Sequence, residues 1–302
     1  MMRSLLFVPG DSERKMEKAA SAGADALILD LEDSVAVSRK PEARQMVATY
    51  LANAERQPPA PRLIVRVNAL DTGLTDDDLS AVIAARPDAV LLPKANSGAD
   101  IQDFSARIAV EEAKAGLPEG AISIHALMTE TAAGMLNAAS FAAKSARLSA
   151  LAWGAEDLAA DIGAASNKDE TGRYTDVFRM ARSLTLLAAA HSGVDAIDTV
   201  FTDFRDMDGL DAECRAAVRD GFSGKLAIHP GQVAVINAAF TPAPADIERA
   251  VRILALFAAA GPDAGVLSLD GKMIDMPHLR QAERVVRRAG LTETALDEAA
   301  NL

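Results

Sequence analysis

"AISIHALMTE" at residues 121–130 and "LSALAWGAED" at residues 148–157 are apolar runs that each end in a carboxylate. Short apolar runs bounded by glycine and polar residues are typical of buried β-strands. Strands that are apolar on both faces indicate a parallel sheet with helices on both sides. The two runs therefore predict neighbouring strands that deliver Glu130 and Asp157 at the points where the strands stop.

Similar runs recur along the chain and alternate with helical patterns. This alternation predicts an α/β fold, a (β/α)8 TIM barrel with a C-terminal helical extension. An open doubly wound sheet is the alternative, and the lack of a glycine-rich phosphate turn after the first strand disfavours it. The predicted strands cover residues 3–9, 25–33, 61–70, 88–95, 121–130, 148–157, 195–203 and 224–230.

The pattern changes after residue 240, where a proline-marked link leads into an amphipathic helix over 241–261. Residues 266–290 predict a strand or extended turn followed by another helix. We therefore expect a barrel domain over 1–240 and a C-terminal helical subdomain over 241–302 that reaches a neighbouring subunit.

Composition excludes several classes of partner. The net charge of −12 argues against nucleic acid and against an anionic membrane. The single cysteine, Cys214, excludes an internal disulfide and is consistent with a reducing compartment. The N-terminal "MMRSLLFVPG" is too short an apolar run for a signal peptide, and no stretch approaches the ~20 apolar residues of a membrane span. We expect a soluble, cytoplasmic protein without a nucleic-acid or membrane partner.

Charged residues cluster at the carboxyl ends of the predicted strands, where a barrel of this kind places its reacting groups. Acids and basic groups that face one cavity need a cation and an anionic substrate to neutralise them. Mg2+ fits best, because it takes one or two carboxylates and keeps positions for water and substrate oxygens. The strand-end residues are Asp30, Glu32, Asp33, Arg66, Asn68, Lys94, Glu130, Glu156, Asp157 and His229.

Each of these residues also has a structural interpretation. Glu130 and Asp157 suit the Mg2+ role, but either is equally acceptable as a helix cap or first-turn acid. Arg66 lies in the apolar strand "LIVRVNAL" and either faces an oxyanion or points outward in a salt bridge. Lys94 is open to a role as a cap of the barrel rim, and His229 to one in the ligand wall. Zinc is disfavoured, because the four histidines are scattered and the cysteine has no partner.

Ordered segments over residues 3–290 resemble one family. They are "RSLLFVPGDSERKMEKA", "LILDLEDSVA", "VRVNAL", "LLPKA", "TETAAGMLNA", "WGAEDLAADIG", "GFSGKLAIHPGQV" and "GKMIDMPHLRQAERV". The chain is similar to the citrate lyase beta-subunit-like (CitE-like) proteins of the HpcH/HpaI aldolase and citrate lyase family, near the malyl-CoA and citramalyl-CoA lyases. The resemblance implies a TIM barrel, homotrimers or dimers of trimers, Mg2+ with Mn2+ as an alternative ion, and an acyl-CoA substrate that carries coenzyme A.

The resemblance also assigns roles by position. It places the metal ligands on Glu130 and Asp157, the active-site arginine on Arg66, and residues that order metal-bound water on Glu32 and Asp33. Glu130 would also border the substrate. The backbone amides of Gly154, Ala155 and Glu156 would hold the oxo-acid carboxylate. The residues implied along the coenzyme A path are Arg14, Lys15, Lys225 and His229.

The motif "GKMIDMP" points to a subfamily. In stand-alone CoA lyases an aspartate in this motif, here Asp275, is the proton-transfer residue, delivered from one subunit into its neighbour. The alternative is a helix N-cap just before Pro277. The sequence thus favours reversible Claisen-type cleavage of a 3-hydroxyacyl-CoA. The other hypotheses are a citrate lyase subunit acting on a carrier-protein thioester, a class II aldolase, a malyl-CoA thioesterase, and a catalytically silent barrel.

Overall fold

The computed structural model describes residues 2–142, 145–261 and 264–291. Eight parallel strands close into a barrel in chain order. The strands are β1 (Ser4–Pro9), β2 (Ala26–Asp30), β3 (Arg62–Arg66), β4 (Ala89–Leu92), β5 (Ser123–Leu127), β6 (Leu148–Ala152), β7 (Asp195–Asp198) and β8 (Gly224–Ala227). The predicted TIM barrel is therefore confirmed, with strands shorter than the apolar runs that specify them.

Helices follow the strands around the barrel. They are α1 (Glu13–Ala20), α2 (Lys40–Asn53), α3 (Thr75–Val82), α4 (Gly98–Lys114), α5 (Ala132–Leu136), α6 (Ala155–Ile162), α7 (Asp176–Ser192), α8 (Met207–Asp220) and α9 (Val233–Phe240). None of the helices in the described ranges is long and apolar enough to cross a membrane.

Alternate residues of the strands point into the barrel, because side chains along a strand have a period of two. Ile28 and Ile64 belong to the apolar interior. The next inward positions on the same strands are Asp30 and Arg66, whose Cα atoms are partners in the register of β2 with β3. The interior is therefore mostly aliphatic below the carboxyl ends of these strands, and ionic at those ends.

The sixth strand ends earlier than its sequence predicts. The run 148–157 predicts a strand that continues to Asp157, whereas β6 stops at Ala152 and α6 begins at Ala155. Gly154 is the N-cap residue of α6, and Glu156 and Asp157 lie in its first turn. Acids in a first turn are stabilised by the helix dipole, which explains why the chain turns helical here. Asp157 is thus delivered by a helix start and not by a strand end.

The chain divides into two compact units, Met2–Asn237 and a second one from Ala238 onward. The second unit contains α10 (Pro244–Ala260), an antiparallel hairpin of β9 (Val266–Leu269) and β10 (Lys272–Asp275), and α11 (Met276–Arg288). Its apolar core includes Phe257, Leu269 and Ile274. The predicted boundary at residue 240 and the predicted contact with a neighbouring subunit stay predictions.

His125 on β5 gives the stability of the barrel a pH dependence. It lies inside the barrel, only 5% exposed. Burial, assisted by Arg62, lowers the pKa of His125 from 6.5 to about 4. The folded state binds this proton more weakly than the unfolded state, so the contribution is complete above pH 6.5 and is lost as the pH falls through 4.

Replacing His125 by leucine is expected to remove that dependence. Between pH 7.5 and pH 4.5 the wild type should lose about 2.5 kcal/mol of unfolding free energy relative to His125→Leu. Urea denaturation across this range measures the difference. His191→Gln, at the exposed end of α7, is the control and should keep the wild-type profile. Parallel profiles for wild type and His125→Leu would contradict the prediction.

Candidate active site

Glu130 lies between β5 and α5, at the carboxyl end of the barrel, and only 3% of it is exposed. Its Oε2 accepts a hydrogen bond from the backbone N–H of Lys94 at 2.7 Å. The same carboxylate lies against Gly154, where a Cβ atom would come within 2.7 Å of Oε1. Glycine at position 154 therefore leaves the space that the buried carboxylate occupies.

Asp157 lies in the first turn of α6, which follows the next strand of the barrel. Its Oδ1 pairs with Nζ of Lys94 at 3.0 Å, and 30% of its side chain is exposed. The two predicted metal ligands therefore share one partner. The amide of Lys94 contacts Glu130, and the ammonium of Lys94 contacts Asp157.

Lys94 follows β4 in a left-handed backbone conformation with φ of 50°. This conformation costs a non-glycine residue about 1–3 kcal/mol, so the surrounding contacts must hold it. Its ammonium also contacts Glu32 Oε1 at 2.5 Å and Asp33 Oδ2 at 3.4 Å. Lys94 is thus a central member of the site, a position that its place in the sequence does not reveal.

Arg66 ends β3 and is largely buried, with its guanidinium 4.7 Å from the ring centroid of Phe7. Nε and one terminal nitrogen donate to the two oxygens of Asp30 at 2.7 Å each. The other terminal nitrogen lies 2.8 Å from Oε2 of Glu32. A guanidinium has five N–H bonds, and the hydrogen bonds to Asp30 use two of them. Its predicted contact with substrate stays a prediction.

Acidic side chains outnumber basic ones at the carboxyl ends of the barrel strands, a region that we call the mouth. Five carboxylates meet two basic side chains, namely Asp30, Glu32, Asp33, Glu130 and Asp157 with Arg66 and Lys94. Burial, together with Asp157 and Glu32, raises the pKa of Glu130 to about 8. Burial also disfavours the ammonium of Lys94, but the carboxylates outweigh it and raise the pKa of Lys94. Glu130 is therefore an acid that a further cation would ionise.

This donor set fits a hard divalent cation. Mg2+ in proteins is commonly held by one or two carboxylates together with water and substrate oxygens, and Glu130 and Asp157 supply two such carboxylates. Glu130 is buried, and its basic neighbours do not offset the rise in its pKa. A bound metal cation would therefore stabilise its ionised form. In the part of the chain that the structure describes, no three His, Cys, Asp or Glu side chains are grouped closely enough to form a metal cluster by themselves.

The predicted oxo-acid contacts lie at the start of α6. Gly154 caps this helix without a side-chain hydrogen bond, Ala155 is buried, and Glu156 is exposed. The carboxylate of Glu156 accepts a hydrogen bond from Asn167 at 2.8 Å. Helix N-termini bind anions through their free amides, so the geometry suits the predicted role, which stays a prediction.

Of the residues predicted along the coenzyme A path, three have exposed side chains. Arg14 and Lys15 lie on the outer face of α1, and His229 stacks on Phe204 with ring centroids 5.0 Å apart. Their roles stay predictions. Lys225 requires a correction, because it is completely buried and its ammonium is used by Asp198 and Glu213. It has no surface to offer to a ligand.

A buried network around Lys225 holds the turn between β6 and α6. Sequence reasoning did not predict this network. Nζ of Lys225 lies 2.8 Å from Asp198 Oδ2 and 2.7 Å from Glu213 Oε1. Asp198 Oδ1 accepts a hydrogen bond from Nε1 of the buried Trp153 at 2.8 Å. Trp153 directly precedes Gly154, so the network fixes the turn that leads to Asp157. The one signal was the position of the only tryptophan at a strand end.

Asp275 ends β10 and is the N-cap residue of α11. Its Oδ1 lies 2.6 Å from Nδ1 of His278, and one third of its side chain is exposed. The helix-cap interpretation of Asp275 therefore holds. The predicted catalytic role of Asp275 stays a prediction.

The fold and the site together define a (β/α)8-barrel protein with an acidic site at the carboxyl ends of its strands. The chain belongs to the HpcH/HpaI aldolase/citrate lyase family, whose model matches residues 3–230. The family match confirms the resemblance that the sequence motifs indicated.

Relatives in this family have several activities. The chain is 39% identical over 289 residues to a (3S)-malyl-CoA thioesterase of Cereibacter sphaeroides, covering 95% of this chain and 94% of that one. It is 36% identical over 300 residues to the mitochondrial citramalyl-CoA lyase of Rattus norvegicus, covering 95% and 86%. A crystal structure of Mycobacterium tuberculosis CitE with magnesium, acetoacetate and coenzyme A matches with a TM-score of 0.75 and 36% identity, covering 96% and 98%.

Proposed function

We propose that this protein is a Mg2+-dependent carbon–carbon lyase that cleaves a 3-hydroxyacyl-CoA such as malyl-CoA or citramalyl-CoA. The products would be acetyl-CoA and glyoxylate or pyruvate. The observation that carries the proposal is the convergence of Glu130 and Asp157 on one residue, Lys94, beside the arginine of β3. The related citramalyl-CoA lyase and the magnesium complex of a related structure support it.

The residues of the mouth divide the work of the reaction. Glu130 and Asp157 would hold Mg2+, which when bound supplies Lewis-acid stabilisation of negative charge on an oxygen. Arg66 would direct N–H bonds that Asp30 does not use at the enolate oxygen of the thioester. Asp30 and Glu32 both contact that guanidinium and would hold its plane.

Proton movement completes the reaction. Cleavage passes the carbinol proton to water at the mouth and leaves an enolate carbon that takes up one proton to give the acetyl methyl group, so no proton is gained or lost overall. Asp275, which the resemblance delivers from a neighbouring subunit, is the group we assign to that proton, because a positioned carboxylate acts as general acid and base. Glu32 and Asp33 would order water at the mouth. A homotrimer or dimer of trimers, and a cytoplasmic location, are part of the same proposal.

A thioesterase is the second candidate. It is favoured by the (3S)-malyl-CoA thioesterase relative, which is at least as similar to this chain as the lyase relative is. The two reactions share a substrate but break different bonds. Lyase chemistry breaks a carbon–carbon bond, whereas hydrolysis breaks the thioester and releases free malate.

The products distinguish the candidates. Purified protein is incubated with malyl-CoA, citramalyl-CoA and methylmalyl-CoA, each with Mg2+ and with EDTA, and the products are separated by chromatography. Metal-dependent release of glyoxylate or pyruvate together with acetyl-CoA, or with propionyl-CoA from methylmalyl-CoA, is the expected result. Malate with free coenzyme A would establish the thioesterase instead. Activity that requires an acylated carrier protein would indicate a citrate lyase subunit.

A further inference from the structure

Lys94 is the one residue that contacts both proposed metal ligands among the hydrogen bonds and ion pairs of the described residues. Its backbone N–H donates to Glu130 Oε2, and its Nζ lies 3.0 Å from Asp157 Oδ1. The left-handed conformation at Lys94 lets one residue direct both groups into the mouth. A residue held in such a conformation at a site indicates a functional demand on its position.

The ammonium of Lys94 has three acidic neighbours with unequal exposure. Glu32 is 7% exposed at its side chain and is held by Arg66 as well, whereas Asp33 is 59% exposed. Asp157 lies between these extremes at 30% and has no other ion-pair partner among the described residues. Asp157 is therefore the carboxylate that depends on Lys94 and also the one that a metal would use.

Binding of both a divalent metal ion and the Lys94 ammonium to Asp157 is electrostatically unfavourable. A divalent ion bound to Asp157 would lie within a few ångströms of the ammonium, where like charges in a partly buried mouth repel strongly. Glu32 and Asp33 provide a second resting place for the ammonium, because both already contact it. The ammonium of Lys94 can therefore remain paired with Glu32 and Asp33 when a metal ion binds Asp157.

We propose that Lys94 is a tethered counter-cation that holds Asp157 in the metal-free protein and yields it when the divalent ion binds. The inference rests on the proposed function only in taking Glu130 and Asp157 as metal ligands. Two consequences follow. The ammonium lowers the affinity for the metal by competing for Asp157, and it stabilises the metal-free site by neutralising its carboxylates.

Mn2+ binding tests the competition without any CoA ester. Free Mn2+ is followed by electron paramagnetic resonance during titration of wild type and Lys94→Met, which removes the charge but keeps a side chain of similar length. Lys94→Met should bind Mn2+ about tenfold more tightly. Lys94→Arg, which keeps the charge, is the matched control and should remain within about threefold of wild type. Equal or weaker binding by Lys94→Met overturns the proposal.

A double-mutant cycle locates the competition at Asp157. In an Asp157→Asn background, Lys94→Met should change the affinity for Mn2+ by less than about threefold, because no carboxylate is left to compete for. If Lys94→Met still tightened Mn2+ binding tenfold in that background, the effect would be a general one of charge, and the proposed competition for Asp157 would be wrong. If Lys94→Met is not folded by circular dichroism, Lys94→Gln replaces it in both arms.

Thermal unfolding gives a second readout. Lys94→Met should melt below wild type in EDTA, and its melting temperature should rise more than that of wild type when Mn2+ is added. The outcomes separate this inference from the proposed function. If the wild type binds no Mn2+, or binds it no more tightly than Glu130→Gln does, both the inference about Lys94 and the proposed function are wrong. Wild type that binds Mn2+ but cleaves no CoA ester removes only the lyase.

Discussion

Replacing Glu130 by glutamine is expected to lower kcat for cleavage of the CoA ester about 10³-fold, because metal stabilisation of developing charge is worth several kcal/mol. Glutamine has nearly the same shape and keeps an oxygen for the Lys94 amide, so the fold should survive. What is lost is the negative charge that the buried position makes suitable for a cation. Mn2+ affinity should fall in parallel with kcat.

Steady-state kinetics and Mn2+ titration on the same preparation test this expectation. Glu119→Gln, which removes an equal charge from an exposed loop before β5, is the matched control and should behave as wild type. If Glu130→Gln retained activity within tenfold of wild type, or bound Mn2+ unchanged, Glu130 would not be a metal ligand. The lyase proposal would then lose its central observation.

Replacing Asp275 by asparagine is expected to reduce kcat about 10³-fold, within the range of 10²–10⁴ that general acid–base catalysis contributes. Asparagine is also a good N-cap residue, so α11 should keep its start. Binding of Mn2+ should be unchanged, since the metal ligands are intact. The loss should extend to exchange of deuterium into the methyl group of acetyl-CoA, a reaction that isolates the proton step.

Asp270→Asn is the control for the Asp275 variant. Asp270 lies between β9 and β10 with φ of 51°, a conformation that asparagine tolerates, and its ion pair with Arg252 is exposed. This variant should keep both turnover and exchange. Turnover of Asp275→Asn within a few-fold of wild type would leave Asp275 as a helix cap alone.

The barrel could be predicted from the sequence because eight apolar runs carry the signal locally. Strand order then follows from the chain order, and β1 closes the ring against β8. The end of β6 was harder, because "WGAED" continues an apolar run while its acids favour a helix start. Composition and alternation cannot decide between those two tendencies.

The charged residues show where sequence reasoning stops. Glu130 and Asp157 could be selected by their positions, since reacting groups gather at one end of a barrel. Lys225 could not be placed, because its burial depends on Asp198, a partner 27 positions away in sequence. The central position of Lys94 depends on its positive φ angle, which no sequence motif predicts. Partners and angles of this kind are set by tertiary packing.

The close approach of Gly154 to Glu130 makes this site vulnerable to the gain of a single methyl group. A Cβ atom at Gly154→Ala would come within 2.7 Å of Cγ and Oε1 of Glu130, so the glutamate side chain would have to move from its present position. We expect weaker Mn2+ binding with a melting temperature near that of wild type, a separation that binding and calorimetry on one sample would reveal. Drift at position 154 would silence the enzyme while leaving a well-folded, abundant protein behind.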